Sequence, residues 1–362
     1  MTLLGSLRAS ISPDIGLDLG TANSVVYERG AGVIVSEPSV VAYRGHNDEV
    51  IAIGRPAKEM DGRVNGRVRV VRPLRRGTIS DFRAARALVA TLVDRVLAAR
   101  PRLIPRLVTS VPGCATDIEC KAVEHAVREA GARSVMFLPQ AVASAVGAGL
   151  DVASSRAQMI VDIGGGTTEI AVLSLYGIVR LRSVQVGGEQ FDRAIIHRLA
   201  AERFSIGPLT AEELKIALGY AGPPPGRPPA RVSGIDATAA APRIREVPEA
   251  TVGEAMREGV EFIIRAVCAV LESTPPEVTA DLCDTGITLT GGGALIPGLA
   301  RELSTRTNVP TSVAADPLLC AARGAGEVLA SPTLSERLRP SADRLTRWYQ
   351  SLRIGMRESY SP

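Results

Sequence analysis

The sequence predicts a two-lobed α/β fold, and three observations carry that expectation. Apolar strands and amphipathic helices alternate along the 362 residues, the order of a sheet with crossover helices. An apolar strand ending in aspartate and a glycine turn occurs twice, as Ile15-Gly-Leu-Asp18-Leu-Gly20-Thr21-Ala22-Asn23 and as Met159-Ile-Val-Asp162-Ile-Gly164-Gly165-Gly166-Thr167. Each copy runs into a further apolar strand, Ser24 to Tyr27 and Ile170 to Leu175. The repeat reads as a distant internal duplication, with two similar lobes bringing Asp18 and Asp162 to opposite sides of one cleft.

The elements follow in order. Residues 14–43 read as strands at Ile15–Asp18, Ser24–Glu28, Gly32–Val35 and Ser39–Tyr43, and residues 50–77 as a short, basic, exposed lobe. Asp81 caps a helix reaching about Arg100, with Leu88, Leu92, Val96 and Leu97 on one face. A strand at Leu107–Val111, a helix at Thr116–Gly131, a strand at Ser134–Leu138 and a helix at Ala141–Gly149 complete the first half. The second half opens with strands at Met159–Asp162, Thr168–Leu175 and Gly177–Ser183, then a helix at Phe191–Arg203. Thr210 is placed as the N-cap of a helix carrying Ala211 to Lys215. The run GYAGPPPGRPP from Gly219 can be neither a helix interior nor a central strand. Val232–Val247 has weak strand character, Val252–Leu271 is a helix, Thr285–Leu289 a strand and Leu295–Leu303 a helix.

Glycine lacks a Cβ, so backbone N–H groups in the two turns can close around phosphate oxygens, and an aspartate beside each can hold a metal ion through water. Gly20, Thr21, Ala22 and Asn23 form the first candidate phosphate turn and Gly164, Gly165, Gly166 and Thr167 the second. A third glycine cluster, Gly291-Gly292-Gly293-Ala294, follows a strand and reads as a close approach to a ligand, although a tight turn also uses one or two glycines. Glu212 and Lys215 are spaced to share a helix face: a surface ion pair, or a carboxylate accepting from a ribose hydroxyl. No GxxxxGK[ST] is present and Gly16-Leu-Asp-Leu-Gly20 is not GxGxxG, which disfavours a dinucleotide fold.

Composition excludes several classes. With 46% hydrophobic and 22% charged residues the chain has an ordinary globular balance, long enough for two core-forming domains. Aromatic residues at 3% and a net charge of +4 do not furnish a nucleic-acid stacking surface. Cys114, Cys120, Cys268, Cys283 and Cys320 form no CxxC and read as buried reduced thiols, and His46, His125 and His197 are isolated from one another. The N-terminus lacks a signal-peptide run and no stretch of eighteen apolar residues occurs, so a cytoplasmic location is expected.

Taken together, DIGLDLGTANSVVY from Asp14, SEPSVVA from Ser36, RPLRRGTISDF from Arg72, VPGCAT from Val111, GAGL from Gly147, VDIGGGTTEIAVLSLYGIV from Val161, VGGEQFDRAII from Val186, AEELKIALG from Ala211, LTGGGALIPGL from Leu289 and DPLLCAARGAGEVL from Asp316 resemble the MreB/Mbl family of bacterial actins over residues 12–330. The resemblance implies an actin-like ATPase fold, two RNase H-like large subdomains each with a small inserted subdomain around a nucleotide cleft. It places the first large subdomain at residues 1–33, 78–145 and 317–336 and its small partner at 34–77. The second large subdomain falls at 146–183 and 250–316, its small partner at 184–249, and a basic amphipathic tail at 337–362. It implies ATP and Mg²⁺ as cofactors, with Asp18 and Asp162 as metal and catalytic residues. The stretch Glu212-Glu213-Leu214-Lys215 would lie at the ribose and Gly291 to Ala294 would wall the adenosine. It further implies a homopolymer, a double filament at the cytoplasmic inner face of the cell membrane, which organises peptidoglycan synthesis together with cell-wall elongation or morphogenesis proteins.

Two departures qualify it. The family usually carries Glu-Pro where this chain has Gln140-Ala141; a glutamine amide accepts no proton at neutral pH but can orient a water. Residues Tyr220 to Pro248, in the lobe that relatives use for subunit stacking, are proline- and alanine-rich. Beyond residue 330, Leu345, Trp348, Tyr349, Leu352 and Met356 fall on one stripe of an arginine-rich tail, which suits anionic lipid, packing onto the core or a partner helix. Leu3, Leu4 and Leu7 offer a second apolar anchor. Two other classes stay open: a non-polymerising nucleotide-dependent scaffold, and a small-molecule kinase, which needs an acceptor pocket with a base aspartate that the sequence does not display.

Overall fold

The structure, a computed structural model, describes residues 14–45, 48–98, 106–113, 115–132 and 134–338. Residues 339–362 of the cationic tail, Leu3, Leu4, Leu7, His46 and Cys114 lie outside the described residues. The strands are β1 Asp14–Leu19, β2 Asn23–Glu28, β3 Gly32–Pro38, β4 Val41–Arg44, β5 Glu49–Ile53, β6 Val68–Val71, β7 Leu74–Arg75, β8 Thr78–Ile79, β9 Arg106–Val111, β10 Ser134–Pro139, β11 Gln158–Ile163, β12 Thr168–Ser174, β13 Gly177–Val184, β14 Phe204–Ser205, β15 Ala230–Asp236, β16 Ala241–Val247, β17 Ile287–Thr290 and β18 Thr311–Val313. The helices are α1 Arg55–Met60, α2 Phe82–Ala98, α3 Asp117–Glu129, α4 Gln140–Gly147, α5 Gly188–Ala201, α6 Pro208–Leu218, α7 Glu249–Ser273, α8 Pro276–Thr285, α9 Leu299–Thr307, α10 Cys320–Ala330 and α11 Pro332–Arg337.

Two five-stranded sheets carry the fold, in the orders β10-β9-β1-β2-β3 and β13-β12-β11-β17-β18. In each, three antiparallel strands in sequence are extended by two parallel ones beside the first: β1 pairs with β9 as β11 pairs with β17. The internal duplication expected from the sequence is thus a repeated topology. It puts β1 and β11, the strands ending in Asp18 and Asp162, at the centre of their sheets, where parallel strands cluster because both faces are covered. Leu17, Met159, Ile160, Val161 and Ile163 are accordingly buried completely. A bidentate ion pair from Arg106 to Asp14, both bonds 2.8 Å, fixes the register of β1 against β9 at its outer end.

Helix α10 packs among elements of the first half. It lies against β1 and β9 on one side and against α4 on the other. Small residues make this possible. A Cβ on Gly324 would fall 1.9 Å from the Ala143 carbonyl oxygen, one on Gly147 1.9 Å from that of Cys320, and one on Gly16 2.2 Å from that of Ala322.

Several boundaries differ from expectation for local reasons. The strand expected at Ser39–Tyr43 starts at Val41, because the Ser39 hydroxyl turns inward to Gly20 O (2.6 Å) and Ser24 Oγ (2.8 Å). The basic lobe contains helix α1, started by Pro56 in its first turn. Helix α6 begins at Pro208, so Thr210 lies inside it rather than capping it. The helix expected at Leu295–Leu303 is delayed: a 3₁₀ turn covers Gly292–Leu295, Pro297 intervenes, and α9 starts only after left-handed Gly298. Asp81 caps as expected, accepting from Ala84 N–H at 2.9 Å. The weak strand region is a complete hairpin, β15–β16, paired at seven positions. The proline-rich loop before it is clamped at its base. Buried Glu249 accepts from Gly226 N–H, Arg227 N–H and Arg227 Nε, while the Arg227 guanidinium donates to the Ala217 and Gly219 carbonyls at the end of α6. Among the described cysteines, Cys320 is buried, Cys120 and Cys268 are half-buried and Cys283 is exposed, against the reading of all as buried.

Candidate functional site

The two aspartate turns meet. Gly165 lies so close to the β1–β2 turn that a Cβ on it would be 2.8 Å from Ala22 Cβ and 3.0 Å from Ala22 N. A Cβ on Gly166 would be 2.6 Å from Thr21 Oγ1. The second turn is closed by Gly164 N–H donating to Thr167 O at 2.8 Å. It is backed by the N-terminus of α5, where Gly188 and Glu189 N–H donate to Gly164 O (3.0 Å) and Gly165 O (2.8 Å). Helix α5 starts three residues earlier than its apolar pattern suggests, and those residues hold the turn.

Asp18, half-buried at the end of β1, accepts from Ser110 Oγ at 2.7 Å. Burial pushes its carboxyl up to about 6, the Ser110 bond opposes this, and the negative charge of Asp162 adds to the rise. Asp162 is buried; it accepts from Thr290 Oγ1 at 2.9 Å and from Gln140 Nε2 at 2.7 Å. Burial raises its carboxyl, and the Thr290 and Gln140 bonds pull it back. Two desolvated carboxylates within each other's field resist ionising together, and a divalent cation between them removes the penalty. Among the described residues no group of three or more His, Cys, Asp or Glu forms a closed metal cage. Magnesium is held by one or two carboxylates with waters and phosphate oxygens, so this oxygen-only pair and the adjoining glycine cradle fit it.

Gln140 opens α4 directly at the C-terminal end of β10. Its amide nitrogen is spent on Asp162, which leaves Oε1 as an acceptor for a water. A buried carboxyl that sequence reasoning missed is Glu169, in register with Asp162 on β12. Glu169 accepts from Gly113 N–H at 3.0 Å and makes a short bond with Ser183 Oγ. It therefore ties the second sheet to the turn after β9. Burial pushes it up to about 7. The sequence signal was a glutamate in an otherwise apolar strand.

The helical stretch Glu212–Lys215 does not form an internal ion pair. Glu212 pairs at 2.6 Å with Lys58 of α1, and Lys215 pairs at 2.8 Å with Asp192 of α5. The Lys58–Glu212 pair links the small lobe of the first half to α6 of the second. Leu214 is a core residue, 1% exposed, while Glu213 faces outward. The third glycine cluster abuts the end of β11: a Cβ on Gly291 would be 2.4 Å from Ile163 O and one on Gly293 2.1 Å from Ile163 Cγ2. Packing accounts for those two glycines, and Gly292 is the freer one, with Leu318 as its neighbour at 3.3 Å. Ala294 is buried.

Comparisons with known proteins agree with this architecture. The sequence profile described as MreB/Mbl protein matches residues 12–337. The cell shape-determining protein MreB of Escherichia coli K12 is 40% identical over 333 residues, covering 90% of this chain and 96% of its own length. The cell shape-determining protein Mbl of Bacillus subtilis 168 is 38% identical over 317 residues, 87% of this chain and 95% of its own. Among solved structures, MreB5 of Spiroplasma citri bound to ADP superposes with a TM-score of 0.83 at 33% identity, covering 88% of this chain and 96% of that one. The AMPPNP-bound form of the same protein gives 0.82. The fold is actin-like, and the chain belongs to the MreB/Mbl family of bacterial cell shape-determining proteins.

Proposed function

We propose that this chain binds ATP with Mg²⁺ between its two large lobes and polymerises into cytoskeletal filaments that organise peptidoglycan synthesis at the inner face of the cell membrane. The observation that carries the nucleotide reading is the contact between the Thr21–Ala22 and Gly165–Gly166 turns with Asp18 and Asp162 beside them. The ADP and AMPPNP bound to the Spiroplasma citri relative support it. In this reading the backbone N–H groups of Gly20 to Asn23 and Gly164 to Thr167 bind the phosphates. Asp18 and Asp162 orient magnesium and its waters, which neutralises phosphate charge. Glu212 and Lys215 face the ribose once Lys58 and Asp192 yield them, and Gly291 to Ala294 flank the adenosine. Gln140 orients a water without taking its proton, so hydrolysis is slow and tied to polymerisation. The four subdomains follow the boundaries given by the family resemblance.

Filament formation rests on family membership; membrane contact is assigned to the cationic tail and the N-terminal leucines. No helix among the described residues is long and apolar enough to cross a membrane; the attachment proposed is peripheral. The proline-rich loop and the β15–β16 hairpin alter the stacking lobe but leave it folded. Ultracentrifugal pelleting with ATP, AMPPNP and ADP, with and without vesicles of anionic lipid, tests the filament. Nucleotide-dependent sediment, increased by the vesicles, is expected. Supernatant protein under every magnesium and lipid condition would instead support the non-polymerising scaffold.

A further inference from the structure

Hairpin β7–β8 is an element the nucleotide reading leaves unused, and it touches both phosphate turns. Its tip is Arg76-Gly77. Gly77 N–H donates to Thr21 Oγ1 at 3.2 Å, pinning the tip to the first turn. On the other side, a Cβ on Gly166 would be 2.8 Å from both Arg76 N and Arg76 Cα, and one on Gly77 would be 2.8 Å from Thr167 Cγ2. Arg76 itself is left-handed, with φ 52°. Such a conformation in a residue with a Cβ is uncommon and is held here by a crowded neighbourhood.

The cations of this region are not equivalent. Arg69 is paired with Asp48 at 2.9 Å and Arg72 with Asp61 at 3.3 Å. Arg75 lies in the field of Glu189 on α5. Arg76 is exposed and makes no ion pair among the described residues. An unneutralised guanidinium whose backbone is wedged against the turn expected to hold the outermost phosphate has a direct electrostatic use.

We propose that Arg76 is a γ-phosphate contact supplied in cis, which distinguishes nucleoside triphosphate from diphosphate and stabilises the charge that spreads over the phosphoryl group during hydrolysis. This rests on the nucleotide reading above. In the reaction, the oxygen of a water held by Gln140 bonds to the γ-phosphorus. The bond from that phosphorus to the β,γ-bridging oxygen breaks, its electron pair stays on the diphosphate, and the water's protons go to the phosphate product and to solvent. A glutamine that orients water together with an arginine that offsets transition-state charge is a working pair in phosphoryl transfer, and needs no carboxylate base. It gives a chain with Gln140 a route to turnover.

The test compares wild type, Arg76→Ala, Arg76→Lys and Arg75→Ala, each titrated with magnesium–AMPPNP and magnesium–ADP and followed through a single turnover of ATP. Arg76→Ala is expected to weaken AMPPNP about tenfold, the loss of one charge-assisted contact, and to leave ADP within about twofold. Its turnover should fall on the order of 100-fold or more. Arg76→Lys should recover part of the AMPPNP affinity and little of the rate, because lysine offers a point charge instead of a planar fork. Arg75→Ala should behave as wild type. Equal losses for both nucleotides, or none for either with unchanged turnover, would overturn the assignment while leaving nucleotide binding intact. Absence of binding in the wild type would overturn both.

Discussion

Gly165→Ala is expected to lower magnesium-nucleotide affinity at least 100-fold, about 2.7 kcal/mol, while the protein still folds. The added methyl meets Ala22 Cβ at 2.8 Å and Ala22 N at 3.0 Å, so one turn must retreat from the other. The neighbour cannot yield as a flexible side chain would, because it is backbone and Cβ. In the proposed reading, a retreat of a few tenths of an ångström misaligns N–H groups that converge on the same phosphates, and preorganised donors lose most of their value when displaced. The cost to folding is that of modest overpacking, about 1–3 kcal/mol. Gly164→Ala is the internal control. Its Cβ finds only Thr167 O, at 3.3 Å, so the affinity loss should be several-fold at most. Calorimetric titration of the two variants, with thermal melting to confirm folding, checks the contrast.

Gly324→Ala is expected to have the largest effect on stability, a loss of about 3 kcal/mol or more. Its methyl would stand 1.9 Å from Ala143 O and 2.7 Å from Gly147 N, so α10 and α4 must separate along their length. That separation also loosens α10 from β1, where Gly16 and Gly326 are in similar contact. The stabilisation lost is therefore dispersion and burial at several residues, Ala143, Val146, Ala325 and Val328 among them. Gly147→Ala should cost a comparable amount. The double variant should cost less than the sum, since one separation relieves both clashes. By contrast Gly66→Ala, with open space around it and an ordinary φ, should change stability by no more than about 0.5 kcal/mol. Urea denaturation of the four variants measures these differences.

Much of the central architecture was legible because its signals are local. Strands β1 and β11 announce themselves as apolar runs ending in aspartate and glycine, and their burial follows from their place beside parallel partners. The cap at Asp81 is a chemical signature of the same local kind. What escaped the sequence depends on distant partners. Ser39 leaves its strand for Gly20 and Ser24, and helix α5 reaches back to Gly188 because the Gly164 and Gly165 carbonyls need donors. The β15–β16 hairpin alternates in burial, but apolar Ile235 and Ile244 lie on its exposed face and blur the sequence pattern. The pairing of Glu212 with Lys58 spans two lobes and has no sequence signature. The three glycines at 291–293 looked like a single ligand signal; two of them are explained by the approach of Ile163, a contact made only once β17 lies beside β11.

The facing carboxylates are the central claim, and calorimetry of ATP binding with and without magnesium measures their consequence directly. Saturable one-to-one binding is expected with magnesium. It should weaken strongly in EDTA and in Asp162→Asn, a variant that keeps an acceptor oxygen for the Thr290 hydroxyl but removes the charge. Binding of equal strength in all three conditions, or no heat of binding at all, would contradict a site in which Asp18 and Asp162 share a divalent cation above the phosphates.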